Sequence, residues 1–145
     1  MKTQYKHTQY GKLLVIVLLL SLAGISYAYY YQTGVKPMPL LVYLIVSVIL
    51  ITAILFFYKL TISIDYEKIT AIFGIGILKK SFNLKDIETI EKYKIPWYAG
   101  IGIRLTPEGW LWNVSYGDAI LIKGKNNTFL VGTNEVDVVI EKLKN

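Results

Sequence analysis

The chain has 145 residues, 54% of them hydrophobic, and a formal net charge of +6. It contains no cysteine, which excludes disulfides, thiolate catalysis and cysteine-based metal sites. All ten acidic residues follow Tyr58, where twelve basic residues nearly balance them, so the basic excess comes mainly from Lys2, Lys6, Lys12 and Lys36. Those four flank apolar segments, and no basic stripe is interleaved with aromatics. The charge therefore reads as membrane topology and argues against a nucleic-acid partner.

Residues 1–12 read as a polar N-terminal tail. The single histidine, His7, lies there and is expected to be solvated; one histidine cannot build a histidine-based metal site. Two uncharged stretches follow, 13–31 and 39–58, together forming a hairpin over 13–58. At 1.5 Å per residue each spans about 29 Å as a helix, close to the hydrocarbon thickness of about 30 Å. Both are apolar all round, as lipid demands. The second holds fourteen Leu, Ile, Val and Phe residues between Leu40 and Phe57. At about −0.3 to −0.6 kcal/mol each, these favour insertion by several kcal/mol. Tyr27, Tyr29, Tyr30 and Tyr31 close the first stretch, and Phe56, Phe57 and Tyr58 the second, as interfacial aromatic belts do.

The connection Gln32-Thr33-Gly34-Val35-Lys36-Pro37-Met38-Pro39 is short and rich in helix breakers, so both termini are expected on one side. Lys2, Lys6, Lys12, Lys59 and Lys68 share that side and only Lys36 lies across, which places both termini in the cytoplasm of a multi-pass cell-membrane protein. A rival reading treats Ser26-Tyr27-Ala28 as a signal-peptide cleavage site, with the second helix as a stop-transfer anchor; the C-terminal part is cytoplasmic in that case too. The sequons Asn113-Val114-Ser115 and Asn126-Asn127-Thr128 matter only in a secretory lumen and read as coincidental. Gly24 and Ala28 form a small-xxx-small pair that would suit close packing of the two helices or a homo-oligomer.

From 59 to 145 the pattern is short strands ending in one helix. Leu60-Thr61-Ile62-Ser63-Ile64-Asp65 alternates with period two. Tyr66-Glu67-Lys68 turns into a strand over 69–73, and Gly74-Ile75-Gly76 turns again into 78–84. Ile87, Ile90 and Tyr93 break the period-two rule and predict a bulge or register change. Pro96-Trp97-Tyr98-Ala99-Gly100 is a loop, and Ile101, Ile103 and Leu105 share a strand face. Thr106-Pro107-Glu108-Gly109 is a turn before Trp110, Leu111 and Trp112. Gly124-Lys125-Asn126-Asn127 joins strands 119–123 and 128–131 as a hairpin. Val136, Val139, Ile140 and Leu143 then follow helical spacing, predicting a helix over 135–144, capped by Thr133 or Asn134.

The motifs Gly100-Ile101-Gly102-Ile103-Arg104, Gly109-Trp110, Asn113-Val114, Gly117-Asp118-Ala119 and Val131-Gly132-Thr133-Asn134-Glu135, in a run of strands closed by a helix, resemble the pleckstrin-homology-like (PH-like) fold. With two preceding apolar helices, the chain is similar to small bacterial PH-like membrane proteins. The resemblance implies a bent, nearly closed antiparallel sheet or barrel of about seven strands, capped by the C-terminal helix. It transfers no catalytic set.

Gly74-Ile75-Gly76 and Gly100-Ile101-Gly102 begin like dinucleotide fingerprints, but neither reaches a third glycine or opens a helix. No nucleophile–base pair, P-loop or zinc-protease motif is present, so no cofactor, metal or catalytic residue is assigned. Candidate membrane-interface or partner contacts are Lys79, Lys80, Trp97, Tyr98 and Arg104: exposed aromatics for the interface and cations for lipid phosphates. The plainer reading puts Trp110 and Trp112 in the core and Lys79-Lys80 on a solvated hairpin face. For Trp97 and Tyr98 core and interface remain equally open. The function expected is a non-enzymatic membrane-anchored module that contacts membrane lipid and a protein partner in the membrane or cytoplasm. The alternatives are an accessory subunit acting through its helices and a lipid-modifying enzyme.

Overall fold

The computed structural model describes residues 4–144. Strand β1 (Tyr5–Tyr10) leads through one residue, Gly11, into helix α1 (Lys12–Tyr31). Helix α2 (Leu40–Phe57) returns through one residue, Tyr58, into β2 (Lys59–Ile64). β1 and β2 pair antiparallel from Tyr5↔Ile64 to Tyr10↔Lys59, and the Gly11 amide donates to the Tyr58 carbonyl at 2.9 Å. The helical hairpin thus replaces the turn of the first β-hairpin.

Residues 5–10, expected to belong to a tail, are a strand. Tyr5, His7 and Gln9 alternate onto the face of Ile64, Ile62 and Leu60 across the ladder. The alternation is real, but the inward side chains are polar ones that suit a sheet edge, so hydropathy does not reveal it. Residues 1–3 of the expected tail, and Asn145, lie outside the described residues.

Both helices are long and apolar enough to cross a membrane, and their ends fall within a residue of 13–31 and 39–58. Tyr29 stacks on Tyr43 with ring centres 4.5 Å apart, and the Ser26 hydroxyl lies 3.2 Å from that of Tyr43. Gln32 takes the left-handed conformation that ends α1, and its side chain accepts from the Met38 amide at 3.0 Å. Gly24 does not serve the α1–α2 contact, because a Cβ there would meet nothing within 4 Å.

After β2 come β3 (Lys68–Phe73), β4 (Leu78–Asn83), a 3₁₀ turn (Leu84–Asp86) and β5 (Ile87–Lys94). A second 3₁₀ turn (Trp97–Ala99), β6 (Gly102–Thr106), β7 (Gly109–Asn113), β8 (Asp118–Gly124), β9 (Thr128–Gly132) and α3 (Val136–Lys144) complete the chain. These form a four-stranded sheet, β1-β2-β3-β4, and a five-stranded sheet, β5-β8-β9-β7-β6. Against about seven strands expected after residue 58 there are eight, and β1 from before the helices makes a ninth; among the described residues they form two sheets and no closed barrel. β7 and β9 pair parallel, a departure from the all-antiparallel expectation. The anticipated irregularity in β5 is present between Ile87 and Thr89.

The sheets enclose one core. Leu60, Ile62 and Ile64 with Ile69, Ala71 and Phe73 face Ile120, Ile122, Phe129 and Val131, and Val136 and Val139 of α3 close the space. Ala119, Ile120, Leu121 and Ile122 are all buried, because β8 is covered on both faces. The outer face of the second sheet carries Leu111, Leu121 and Leu130, packed with Ile95 and Ala99 from the β5–β6 connection. That connection runs between opposite edges of the sheet. Four strand spacings are about 19 Å, and the seven residues 95–101 reach only about 25 Å when extended. The segment is therefore taut.

Trp112 is 8% exposed and packs between Phe73 and Phe129, as the core reading expects. Trp110, two residues earlier at the sheet's far end, is 48% exposed. Trp110→Ala is accordingly expected to cost only ~1 kcal/mol, measured by thermal unfolding in detergent. A loss of several times that size would place Trp110 in the core.

Candidate functional site

Three features stand out beyond the core: a rim where the helices leave the β unit, a polar cleft at the opposite end, and a polar clasp between β1 and α3.

The rim is fixed by backbone contacts. Gly74, at φ +50°, lies so close to the last turn of α2 that a Cβ there would sit 2.2 Å from the Leu55 carbonyl oxygen and 2.4 Å from that of Phe56. Phe57, the last residue of α2, packs edge-on against Phe73 at 5.3 Å and so belongs to the β core. A Cβ on Gly11 would be 3.2 Å from the Val114 carbonyl oxygen, which puts the β7–β8 loop at the same level. Helices and sheets thus meet without a flexible linker.

Asn113 organises the second sheet's part of this rim. It is fully buried; its side-chain oxygen accepts from the Gly102 amide at 3.1 Å, and its amide donates to the carbonyls of Gly100 at 3.0 Å and Ser115 at 3.1 Å. One side chain thereby ties the β5–β6 and β7–β8 connections together. Both its amide hydrogens are used inside the fold and the side chain is buried, so the sequon at Asn113 offers no accessible acceptor in the folded chain.

The candidate residues divide between two places. Trp97 and Tyr98 stand on the taut connection at the rim, 83% and 75% exposed, their rings edge to face at 6.0 Å. Arg104 joins them, its guanidinium folding back to donate to the Ile101 carbonyl at 3.4 Å. Lys79 and Lys80 lie apart on β4. Lys79 is exposed, whereas Lys80 points to the inner side with its ammonium 5.2 Å from the Phe129 ring centre. Only one of this pair is therefore a solvated hairpin residue.

Other rim residues escaped sequence reasoning: Tyr10, Ile75, Ile77 and Tyr116, all exposed. Ile75 and Ile77 were hidden in a segment read only as a turn. Large aliphatics in a tight turn, where polar residues are ordinary, were the available signal. Lys94, Ile95, Pro96, Trp97, Tyr116 and Gly117 line an open groove of about 460 Å³ here.

At the opposite end Ser81, Asn83, Asp86, Lys125, Asn126 and Asn127 surround a cleft of about 230 Å³ floored by Phe82. Its walls are the end of β4 and the β8–β9 turn. Among the described residues no group of three or more His, Cys, Asp and Glu side chains is placed to hold a metal ion.

The clasp joins β1 to the start of α3. Tyr5 donates its hydroxyl to Glu135, His7 Nδ1 lies 3.3 Å from the same carboxylate, and His7 Nε2 lies 2.7 Å from Asn134 Oδ1. His7, expected to be solvated, is engaged here because β1 is a strand. Thr133 accepts from the Glu135 amide at 3.1 Å, one residue before α3 begins, so it shapes the approach to the helix and does not cap its first turn, as Thr133 or Asn134 was expected to do. Burial first, then the hydrogen bond to Glu135 and that residue's charge, push the Tyr5 hydroxyl far above the ordinary tyrosine value. A group held protonated by the fold contributes stability that is complete below the unfolded tyrosine value of about 10 and lost as pH rises beyond it. The Tyr5–Glu135 bond is thus expected to weaken in alkali. Thermal unfolding followed against pH should fall less steeply above that value in Tyr5→Phe than in the parent, and equal slopes would show that Tyr5 is not the titrating group.

No protein-family model matches the chain, and comparison with curated proteins and with solved structures likewise finds no match.

Proposed function

We propose that this chain is a non-enzymatic, membrane-anchored binding module of PH-like type, held at the cytoplasmic face of the cell membrane by two transmembrane helices. One observation carries the reading: the apolar hairpin is built into the first β-hairpin through single-residue junctions at Gly11 and Tyr58. A bilayer-embedded hairpin of that construction does more than tether a domain. It sets which end of the β unit faces lipid and which faces solution. Confinement at a surface raises the module's effective concentration for other membrane proteins. The excess of lysines on the terminal side of the hairpin supports the cytoplasmic orientation.

On this reading the far end, with its polar cleft, faces a cytoplasmic protein partner. The test is site-specific photocrosslinking in native membranes from a residue beside the cleft, Lys125, with Tyr30 on the helical hairpin as the comparison. A discrete adduct from position 125 but not from position 30 is the expected result. Adducts from position 30 alone would favour the second reading, an accessory subunit that works through its helices. The open space around Gly24 supports that reading, since this small residue faces away from α2. Gly24→Leu separates the two: it should leave partner recovery unchanged if the β unit binds and abolish it if α1 does.

A further inference from the structure

We infer that the rim is itself a lipid-contact surface, seated in the headgroup–acyl boundary of an anionic bilayer, so that the β unit is partly sunk into the membrane. The inference rests on the anchored reading above and adds a second, independent attachment to the same lipid.

Depth comes first. Gly74 abuts the carbonyls of Leu55 and Phe56, which belong to the last turn of an apolar span. The turn that follows therefore cannot stand clear of the bilayer if α2 is inside it. That turn carries Ile75 and Ile77, 54% and 65% exposed. Two large aliphatics presented to water on a tight turn are an unfavourable arrangement, and in lipid the sign reverses.

The second sheet reaches the same level by a different route. Val114 lies against Gly11 at the start of α1, and the loop it begins carries Tyr116 and is bonded to the β5–β6 connection by the Ile95 amide donating to the Gly117 carbonyl, with Trp97 facing Tyr116 across a groove. Tyr and Trp rings are the side chains that favour this zone, having an apolar body and a polar edge. The groove between Trp97 and Tyr116 is open and mostly apolar, as acyl-chain contact requires.

Charge agrees with an anionic surface. Lys12, Lys59, Lys94 and Arg104 surround the rim, while Asp118, the acidic residue at this end, is engaged by Lys92 at 3.4 Å. Asp65, Glu67, Asp86, Glu88 and Glu108 sit in or beside the turns at the far end, where Lys68, Lys85 and Lys125 offset only part of their charge. Basic residues near the bilayer are attracted by its negative potential, and acidic ones are repelled.

The chain has no cysteine, so single nitroxide labels can be placed on the full-length protein. Labels at Ile77→Cys and Trp97→Cys are compared with Ile49→Cys in the middle of α2 and Asn126→Cys at the far end. The protein is reconstituted in phosphatidylcholine–phosphatidylglycerol vesicles. Depth is read from relaxation by oxygen against a water-soluble nickel chelate. The expected result is that labels 77 and 97 fall between the two references, shielded from nickel and accessible to oxygen. If label 49 is in the bilayer while 77 and 97 match 126, the seated rim is overturned and the anchor stands. If label 49 itself is relaxed by nickel like 126, the anchored reading falls, and the seated rim with it. Since all four positions are exposed, loss of folding is not expected to confuse the comparison.

Discussion

Gly74→Val is expected to destabilise the protein by about 4 kcal/mol, among the larger effects a single substitution produces. Two costs combine. At φ +50° a residue with a side chain pays about 1–2 kcal/mol of backbone strain, more when it is β-branched. The new Cβ would also lie 2.2 Å and 2.4 Å from two backbone oxygens of α2, and backbone cannot rotate away. Relief requires the turn to part from the helix. Gly76→Val is the control: its φ of +98° brings at least as much backbone strain, but the nearest neighbour is a side-chain carbon at 3.8 Å, so a larger loss at Gly74 comes from the contact with α2. The difference between the variants, from chemical unfolding in bicelles followed by tryptophan fluorescence, isolates the wedge between turn and helix. Equal losses would mean that the junction is not held there.

Asn113→Asp carries the second large effect, about 3–4 kcal/mol at neutral pH. Aspartate can still accept from the Gly102 amide, but it cannot donate to Gly100 and Ser115, and it sets a negative charge against their carbonyl oxygens in a fully buried site. A carboxyl in that position resists ionisation, so the variant should regain stability as pH falls and the group takes up a proton. Asn113→Ala leaves the same partners unpaired without adding charge and should cost about 2 kcal/mol, with little pH dependence. Unfolding midpoints of the two variants at neutral and mildly acidic pH check this. If the aspartate variant failed to recover in acid, charge burial would not be the cause.

Much of the architecture was legible in the sequence because it obeys simple periods. Uncharged runs of membrane length gave α1 and α2, alternation gave β2 and β3, and the spacing of Val136, Val139, Ile140 and Leu143 gave α3. The irregular spacing in β5 even marked its register shift. What stayed hidden has physical causes. β1 is an edge strand with Tyr5, His7 and Gln9 facing inward, so its period-two pattern is carried by polar residues whose partners are more than a hundred residues away: Glu135 for Tyr5, Asn134 for His7 and Ser115 for Gln9. The parallel β7–β9 pair depends on how non-adjacent strands are ordered, which local pattern does not encode. Trp110 and Trp112 share a face, yet only one is buried, because burial depends on position along the strand relative to the sheet's end.

The candidate site was half legible. Trp97, Tyr98 and Arg104 are near one another in the chain and converge in space. Ile75, Ile77 and Tyr10 join them only because the helical hairpin grows out of β1 and β2, and sequence proximity says nothing of that. Lys80 shows the opposite case. Neighbouring lysines in sequence point to opposite sides of a strand, so a basic pair there is not a basic patch.

Every functional claim rests on the hairpin crossing the membrane with the β unit on the cytoplasmic side. The most direct measurement is labelling of single cysteines by a membrane-impermeant maleimide in intact and permeabilised cells, at Val35 in the helix–helix connection and at Asn126 in the far-end turn, both exposed. Position 35 is predicted to react in intact cells and position 126 only after permeabilisation. Reaction of position 126 in intact cells, or identical behaviour of the two sites, would contradict the account.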